Sequence, residues 1–453
     1  MFSLSPPRRT ELRAQLALAL PILGGQLAQT ANGFVDTLMA GRVSPVDLAA
    51  VAVGASIWVP AYLFMTGVLM SATPILSRTL GAQSFSRVNP LTQQSLLLAL
   101  GLGLLMMALL RSMAPVLIWM DVDAALQPLV IGYLDALSWG MPAMALFLSL
   151  RSYTEALSHT RPVLLISVAG LLINIPSNAI FIYGLLGVPA MGGVGCGWAT
   201  SLVMWLMAIM MAVYVARHPV YDDARLSLGQ RFFEPATILY MFRIGLPVGL
   251  SIFFEVSIFA IIALLISSLG AVTVAGHQIA LNFTSLIFML PLSLALAVTV
   301  RVGLARGRNN PDAARQAINT ALIITLAIGI SAAVLLLLLR HHVPMLYTPD
   351  NEVRDLAARL LLFAALYQVS DAWQVTVNGA LRGYEDTAVP MLLTLIAYWG
   401  IGLPVGYVLG LTDLLRPAMG PDGFWIGLIS GLTAAAIMLT LRLRRHLRPT
   451  RSA

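Results

Sequence analysis

The sequence has no lysine and one cysteine, and only 10% of its 453 residues are charged. Soluble proteins carry about a quarter charged residues, so the composition argues against a water-facing enzyme and against a disordered chain. A lone cysteine, Cys196, can form neither an internal disulfide nor a cysteine metal cage. There is no GxxxxGK[ST] phosphate loop and no HExxH pair, so neither an ATPase motor nor a zinc peptidase is encoded. No resident cofactor is expected.

What is abundant is apolar: 58% of residues are hydrophobic, and the mean hydropathy is +0.85. The formal charge of +7 does not point to nucleic acid, because the 27 arginines fall in short gaps between apolar runs rather than on one polar, aromatic-rich domain. Lipid is the solvent such a chain requires. A spanning helix needs about 20 apolar residues. Twelve such runs are present, at 14–38, 48–73, 93–118, 129–153, 163–186, 194–215, 238–265, 273–300, 316–340, 356–380, 388–411 and 423–443. The first outlasts a signal-peptide core, lacks a cleavage site, and reads as a span. The longest gap, Ala216 to about Thr237, carries Arg217, Asp222, Asp223, Arg225, Arg231 and Glu234 and reads as a solvated linker. One set of gaps and both ends together hold 21 of the 27 arginines, which places both termini in the cytoplasm. Arg442, Arg444, Arg445, Arg448 and Arg451 would then meet anionic lipid heads.

The chain repeats internally. Leu20-Pro21 matches Leu246-Pro247, Ala49 matches Ala275 and Gly81 matches Gly307, each at a shift of 226. Pro162 matches Pro390, Pro176 matches Pro404, and Pro189-Ala190-Met191-Gly192 matches Pro417-Ala418-Met419-Gly420, each at 228. Two six-span halves follow, 1–225 and 226–453. An even number of spans gives them the same orientation, related by a pseudo-twofold axis along the membrane normal. The expected fold is an all-α integral membrane protein with twelve transmembrane helices in two six-helix bundles.

Chemistry is expected where acids interrupt the apolar runs, since a carboxylate in the bilayer core costs several kcal/mol unless paired, hydrated or protonated. Asp36, Glu255 and Asp371 do so, and none has an arginine within one helical turn along the chain; Asp135 lies nearer a span end. Such a carboxyl can hold a proton or act as an oxygen ligand for a hard cation. The alternative is a protonated acid bonded to a neighbouring helix. Under the repeat, Asp36 falls on Ile262, Glu255 on Gln29 and Asp371 on Ala143, so the acids distinguish the halves. Asn174 and Asn178, Gln278 and Asn282, and Tyr367 and Asp371 are each one turn apart and share a face; amides so placed line a cavity or join helices. Twenty-one methionines with Phe253, Phe254, Phe288, Tyr367 and Trp373 offer an adaptable surface for flat or cationic molecules, or ordinary packing. His277 enters the eighth span beside Gln278, where a gating role is conceivable, and His341-His342 reads as interfacial.

With these acids, the segments QLAQTANGFVDTLMAG, AGHQIALNFTSLIFMLPLSLA and NGALRGYEDT resemble the multidrug and toxic compound extrusion (MATE) family, NorM-type branch, over nearly the whole chain. The resemblance implies two bundles that alternate access, and export of cationic, often aromatic drugs against H+ or Na+, conferring antibiotic resistance. It implies cation-coupling roles for Asp36, Glu255 and Asp371, with Glu255 and Asp371 as Na+ ligands if sodium is the coupling ion. It places Asn174, Asn178, Gln278, Asn282 and Tyr367 as cavity residues. Membrane lipid and small-molecule drugs are the expected partners, with no nucleic acid, in a monomer of the bacterial inner membrane. A lipid-linked-precursor flippase of related architecture is the alternative; it would want a basic cavity, and this sequence offers acids.

Overall fold

The computed structural model describes residues 6–120, 122–224, 226 and 233–447. Arg225 and Arg231 of the linker, and Arg448 and Arg451, lie outside the described residues. All regular structure among the described residues is helical. Twelve long helical segments follow the apolar runs: α1 (Pro6–Gly41), α2 (Pro45–Gly81), α3 (Phe85–Arg111), α4 (Gln127–Ser138 with Met141–Ala156), α5 (Arg161–Tyr183), α6 (Gly193–Arg217), α7 (Pro235–Ser267), α8 (Ala271–Gly307), α9 (Pro311–Leu339), α10 (Asn351–Gly383), α11 (Ala388–Leu411) and α12 (Pro421–Leu447). Ten of them are long and apolar enough to cross a membrane, and α4 makes an eleventh when its two pieces count as one span. The twelfth, α1, is 36 residues long but diluted by Arg8, Arg9, Glu11 and Arg13 at one end and by Gln26, Gln29, Asn32 and Asp36 further on.

Proline sets the irregularities. The pieces of α4 meet at 43° around Trp139-Gly140, just before Pro142. In α11 the turn over Ile396–Gly402 widens to a π-helix just before Pro404. A proline has no N–H and its ring clashes with the carbonyl one turn back, so the ladder there bends or expands. Pro176, the repeat partner of Pro404, sits inside an unbroken α5.

The chain folds as two compact units. The N-terminal unit is Leu20–Gly249; the C-terminal unit comprises the described parts of Met1–Ala19 and Leu250–Ala453. Two helices therefore change membership along their length. α1 begins in the C-terminal unit, where Leu18 and Ala19 pack on Ala297 and Val300 of α8. There the Arg301 guanidinium grips the Glu11 carboxylate, with Nε 2.9 Å from Oε1, and Gln15 donates to the Ala317 carbonyl at 2.7 Å. α7 begins in the N-terminal unit, with Gly249 against Phe64 and Val68.

Within the N-terminal unit, α4 packs against α2, α3 and α6, and α5 against α6. Within the C-terminal unit, α10 lies among α8, α9 and α12. It is the most buried of these spans, at 67% of its apolar window, whereas α9 is 22% buried. The core there gathers Leu360, Leu361, Tyr398, Phe424 and Trp425. α11 and α12 approach so closely that a Cβ on Gly427 would lie 2.5 Å from Gly402 and Gly406 backbone atoms. Close approach through small residues is how helices associate in lipid, where no hydrophobic effect pulls them together.

Candidate functional site

Each unit holds one buried acidic cluster. In the N-terminal unit Asp36 is 6% exposed. Its Oδ1 accepts from Asn178 Nδ2 at 2.6 Å and from Asn174 Nδ2 at 3.1 Å. Its Oδ2 accepts from Thr200 Oγ1 at 2.8 Å, and its backbone carbonyl receives the Cys196 thiol at 3.6 Å. Asn178 also donates to Asn174 Oδ1 at 2.9 Å. The one-turn spacing on α5 stacks both amides against one carboxylate, and the Thr200–Cys196 pair of α6 reaches the same point. Three side-chain bonds at about 0.6–1.7 kcal/mol each roughly offset the insertion cost of about 2.5–3.5 kcal/mol for a mid-membrane carboxylate. The site can therefore keep an acid inside the bundle with no cation resident among its donors.

The C-terminal cluster is built differently. Asp371 is 1% exposed on α10. Among the described residues its carboxylate accepts one hydrogen bond of ordinary angle, the long 3.5 Å contact from Gln374 Nε2 to Oδ1. The Tyr367 hydroxyl, one turn earlier, approaches the same carboxyl, yet Oδ2 gains no hydrogen bond of ordinary geometry among the described residues. Glu255 of α7 and Tyr398 of α11 lie within electrostatic reach of Asp371. So the structure brings Glu255, Tyr367 and Asp371 together. It also adds a residue that spacing along the chain hid: Arg382, three turns after Asp371 on α10, is 5% exposed and interacts electrostatically with Glu255. Sequence proximity misses a cation that approaches from another helix.

Other expected positions fall elsewhere. Gln278 and Asn282 are exposed and bond to each other, Nε2 to Oδ1 at 3.0 Å, on the side of α8 away from buried His277, Ile279 and Ala280. Asp135 sits half-exposed at 3.0 Å from Arg111, as a residue near a span end should. A further buried pair lies in α4: Arg151 Nε donates to Glu155 Oε1 at 2.6 Å, one turn apart. Its i, i+4 spacing was the available signal. Among the described residues no three His, Cys, Asp or Glu side chains gather as a metal cage.

The MatE family profile matches residues 21–180 and again 247–408. The chain belongs to the MatE family. The two MatE matches begin 226 residues apart (21 and 247) and end 228 apart (180 and 408), the same shifts that the proline and Pro-Ala-Met-Gly repeats display. Over 435 residues the chain is 48% identical to the multidrug resistance protein MdtK of Edwardsiella ictaluri, covering 96% of this chain and 95% of that one. Over 431 residues it is 49% identical to the probable multidrug resistance protein NorM of Shewanella oneidensis, covering 95% and 94%. Among solved structures, the eukaryotic MATE transporter AtDTX14 superposes with a TM-score of 0.87 at 20% identity, over 97% of this chain and 98% of that one. An outward-facing multidrug resistance MATE transporter of the MOP superfamily also gives 0.87, at 22% identity over 96% of each. These structures share the MatE fold with this chain.

Proposed function

We propose that the chain is a multidrug efflux antiporter of the bacterial cytoplasmic membrane that exports cationic, often aromatic compounds in exchange for H+ or Na+. The observation that carries this reading is the pair of buried acid clusters, one in each unit, in a membrane-spanning member of the MatE family. Names of two relatives, both multidrug resistance proteins at nearly half identity, support the substrate class.

The chemistry follows from charge. A carboxylate inside an apolar bundle is stabilised by whichever cation reaches it. Oxygen atoms of Glu255, Asp371 and Tyr367 are hard donors suited to Na+, and the same carboxyls accept protons. A drug cation and a coupling ion compete for this negative charge. Neutralisation by the ion entering from outside removes the attraction that holds the drug and lets it leave; alternating access then returns the ion to the cytoplasm. The excess of arginine in one set of gaps supports a topology with both termini in the cytoplasm. The unit of function is the monomer, since each chain carries both clusters. A flippase for pyrophosphate-linked lipids would need cationic rather than acidic clusters.

The test is ethidium efflux from proteoliposomes with pH and Na+ gradients imposed separately. Glu255→Gln and Asp371→Asn are expected to reduce gradient-driven efflux to background while both proteins remain folded in membranes. Wild-type efflux from both variants overturns the proposal. The gradient that drives the unaltered protein identifies the coupling ion.

A further inference from the structure

Asp371 lacks the direct donors that hold Asp36, so something else must fix the geometry of its cluster. A chain of contacts leads from it to a histidine. Tyr367, whose hydroxyl approaches the Asp371 carboxyl, packs edge-on against Trp425 of α12, with centroids 6.0 Å apart and planes at 66°. The Trp425 indole Nε1 donates to His277 Nδ1 of α8 at 3.2 Å, and the two rings meet at 5.9 Å and 73°. Trp425 and His277 are both fully buried. Since Nδ1 accepts, the imidazole carries its proton on Nε2, which has no hydrogen-bond partner among the described residues. A buried imidazole with one ring nitrogen unsatisfied is costly; packing alone would be better served by Leu or Phe.

We propose that His277 is a positioning residue for the Asp371 cation site: by fixing the Trp425 indole it sets the orientation of Tyr367 and so the affinity for the coupling ion. The repeat supports this. Shifts of 226 and 228 place Val51 opposite His277, Gly197 opposite Trp425, Trp139 opposite Tyr367 and Ala143 opposite Asp371. The half without the α10 acid lacks the whole series. Where the C-terminal unit has the indole, the N-terminal unit has a glycine pressed on the Tyr133 carbonyl. Three helices meet in the series, α8, α10 and α12, and only α10 contributes an acid. His277 therefore acts at a distance from the ion, through an aromatic ring that a small residue could not replace.

The inference rests on the cation-coupling reading, and the experiment separates the two. In proteoliposomes, ethidium efflux is measured against coupling-ion concentration and, independently, against ethidium concentration. His277→Leu is expected to raise the ion concentration for half-maximal efflux about three- to tenfold, the effect of losing one hydrogen bond, with a smaller change in the ethidium value. His277→Gln, whose carbonyl can accept from the indole, should restore most of the ion affinity. Trp425→Phe should reproduce the shift, and the double variant should add nothing further, so the test survives if one variant fails to fold. Equal shifts in ion and ethidium values, additive effects of the two substitutions, or an unchanged ion value in folded His277→Leu and Trp425→Phe each overturn the inference. Asp371→Asn serves as the control: if its efflux keeps normal ion dependence, the coupling reading itself fails, whatever His277 does.

Discussion

Asp36 shows what a single side chain gains from its neighbours. Removing one donor, as in Thr200→Val, leaves Oδ2 without its 2.8 Å bond and should lower stability by about 0.6–1.7 kcal/mol; Thr200→Ser should retain most of it. Thermal unfolding in detergent, followed by loss of the monodisperse peak, measures both. Much of this cluster was legible beforehand. An acid in an apolar run is conspicuous because burial is expensive, and Asn174 and Asn178 declared a shared face by their spacing. Thr200 and Cys196 were not legible, since they come from a different helix and threonines occur on all faces of spans. Arg382 was hidden for the same reason.

Helices extend further than the hydrophobic signal suggests. α1 runs Pro6–Gly41 where hydropathy marks 14–38, and α3 starts at Phe85 rather than 93. Backbone hydrogen bonding continues into the polar interface, while hydropathy stops at the hydrocarbon edge. The ends of these helices carry contacts that composition gave no reason to expect. In the N-terminal unit, His159 after α4 meets Tyr214, Nε2 to hydroxyl at 3.2 Å, and His218 at 5.4 Å between ring centroids. In the C-terminal unit, Asp386 after α10 accepts from Arg442 Nε at 2.6 Å and from His446 Nε2 at 2.8 Å, and Tyr384 stacks on His446. A shift of 228 carries Tyr214 onto Arg442 and His218 onto His446.

These equivalent contacts both weaken in acid, but over different pH ranges. Burial, then the neighbouring His218 and Arg161, hold the His159 imidazole below its ordinary value. That contact is fully stabilising above the ordinary value near 6.5 and is lost as pH falls through the lower folded value. For Asp386, burial alone would push the carboxyl up, but hydrogen bonds and charge from Arg442 and His446 hold it below 3.8. Its contribution persists until pH falls through that depressed value. Between pH 7.5 and 5.5, hydrogen exchange corrected for intrinsic rates should therefore quicken at residues 157–160 and stay constant at 384–387. His159→Gln should abolish the difference; loosening at both loops would contradict the assignment.

For the molecule as a whole, duplication and packing divide the chain differently. The duplication, readable from prolines and the Pro-Ala-Met-Gly tetrad, is matched by the two family segments, 21–180 and 247–408. The packing units trade the beginnings of α1 and α7, and nothing in a hydropathy pattern reports which bundle a helix end joins. The Glu11–Arg301 pair is the clearest long-range contact of this kind, at 8% and 27% side-chain exposure. Arg301→Leu strands a nearly buried carboxylate and should cost about 1–3 kcal/mol, between the values for exposed and buried pairs. Protease protection of residues 8–19 should fall accordingly, and Glu11→Leu in the same background should restore part of it.

The traded helix beginnings also set a timetable for synthesis. Leu20–Gly249 holds every residue that its unit needs by the time Gly249 leaves the ribosome. Glu11 is 290 residues ahead of Arg301, so at about 5–20 residues per second it stays without its guanidinium for roughly 15–60 s. During that interval the nascent chain carries a half-finished bundle with its opening segment unclaimed, which is when a membrane chaperone or a quality-control protease would find it.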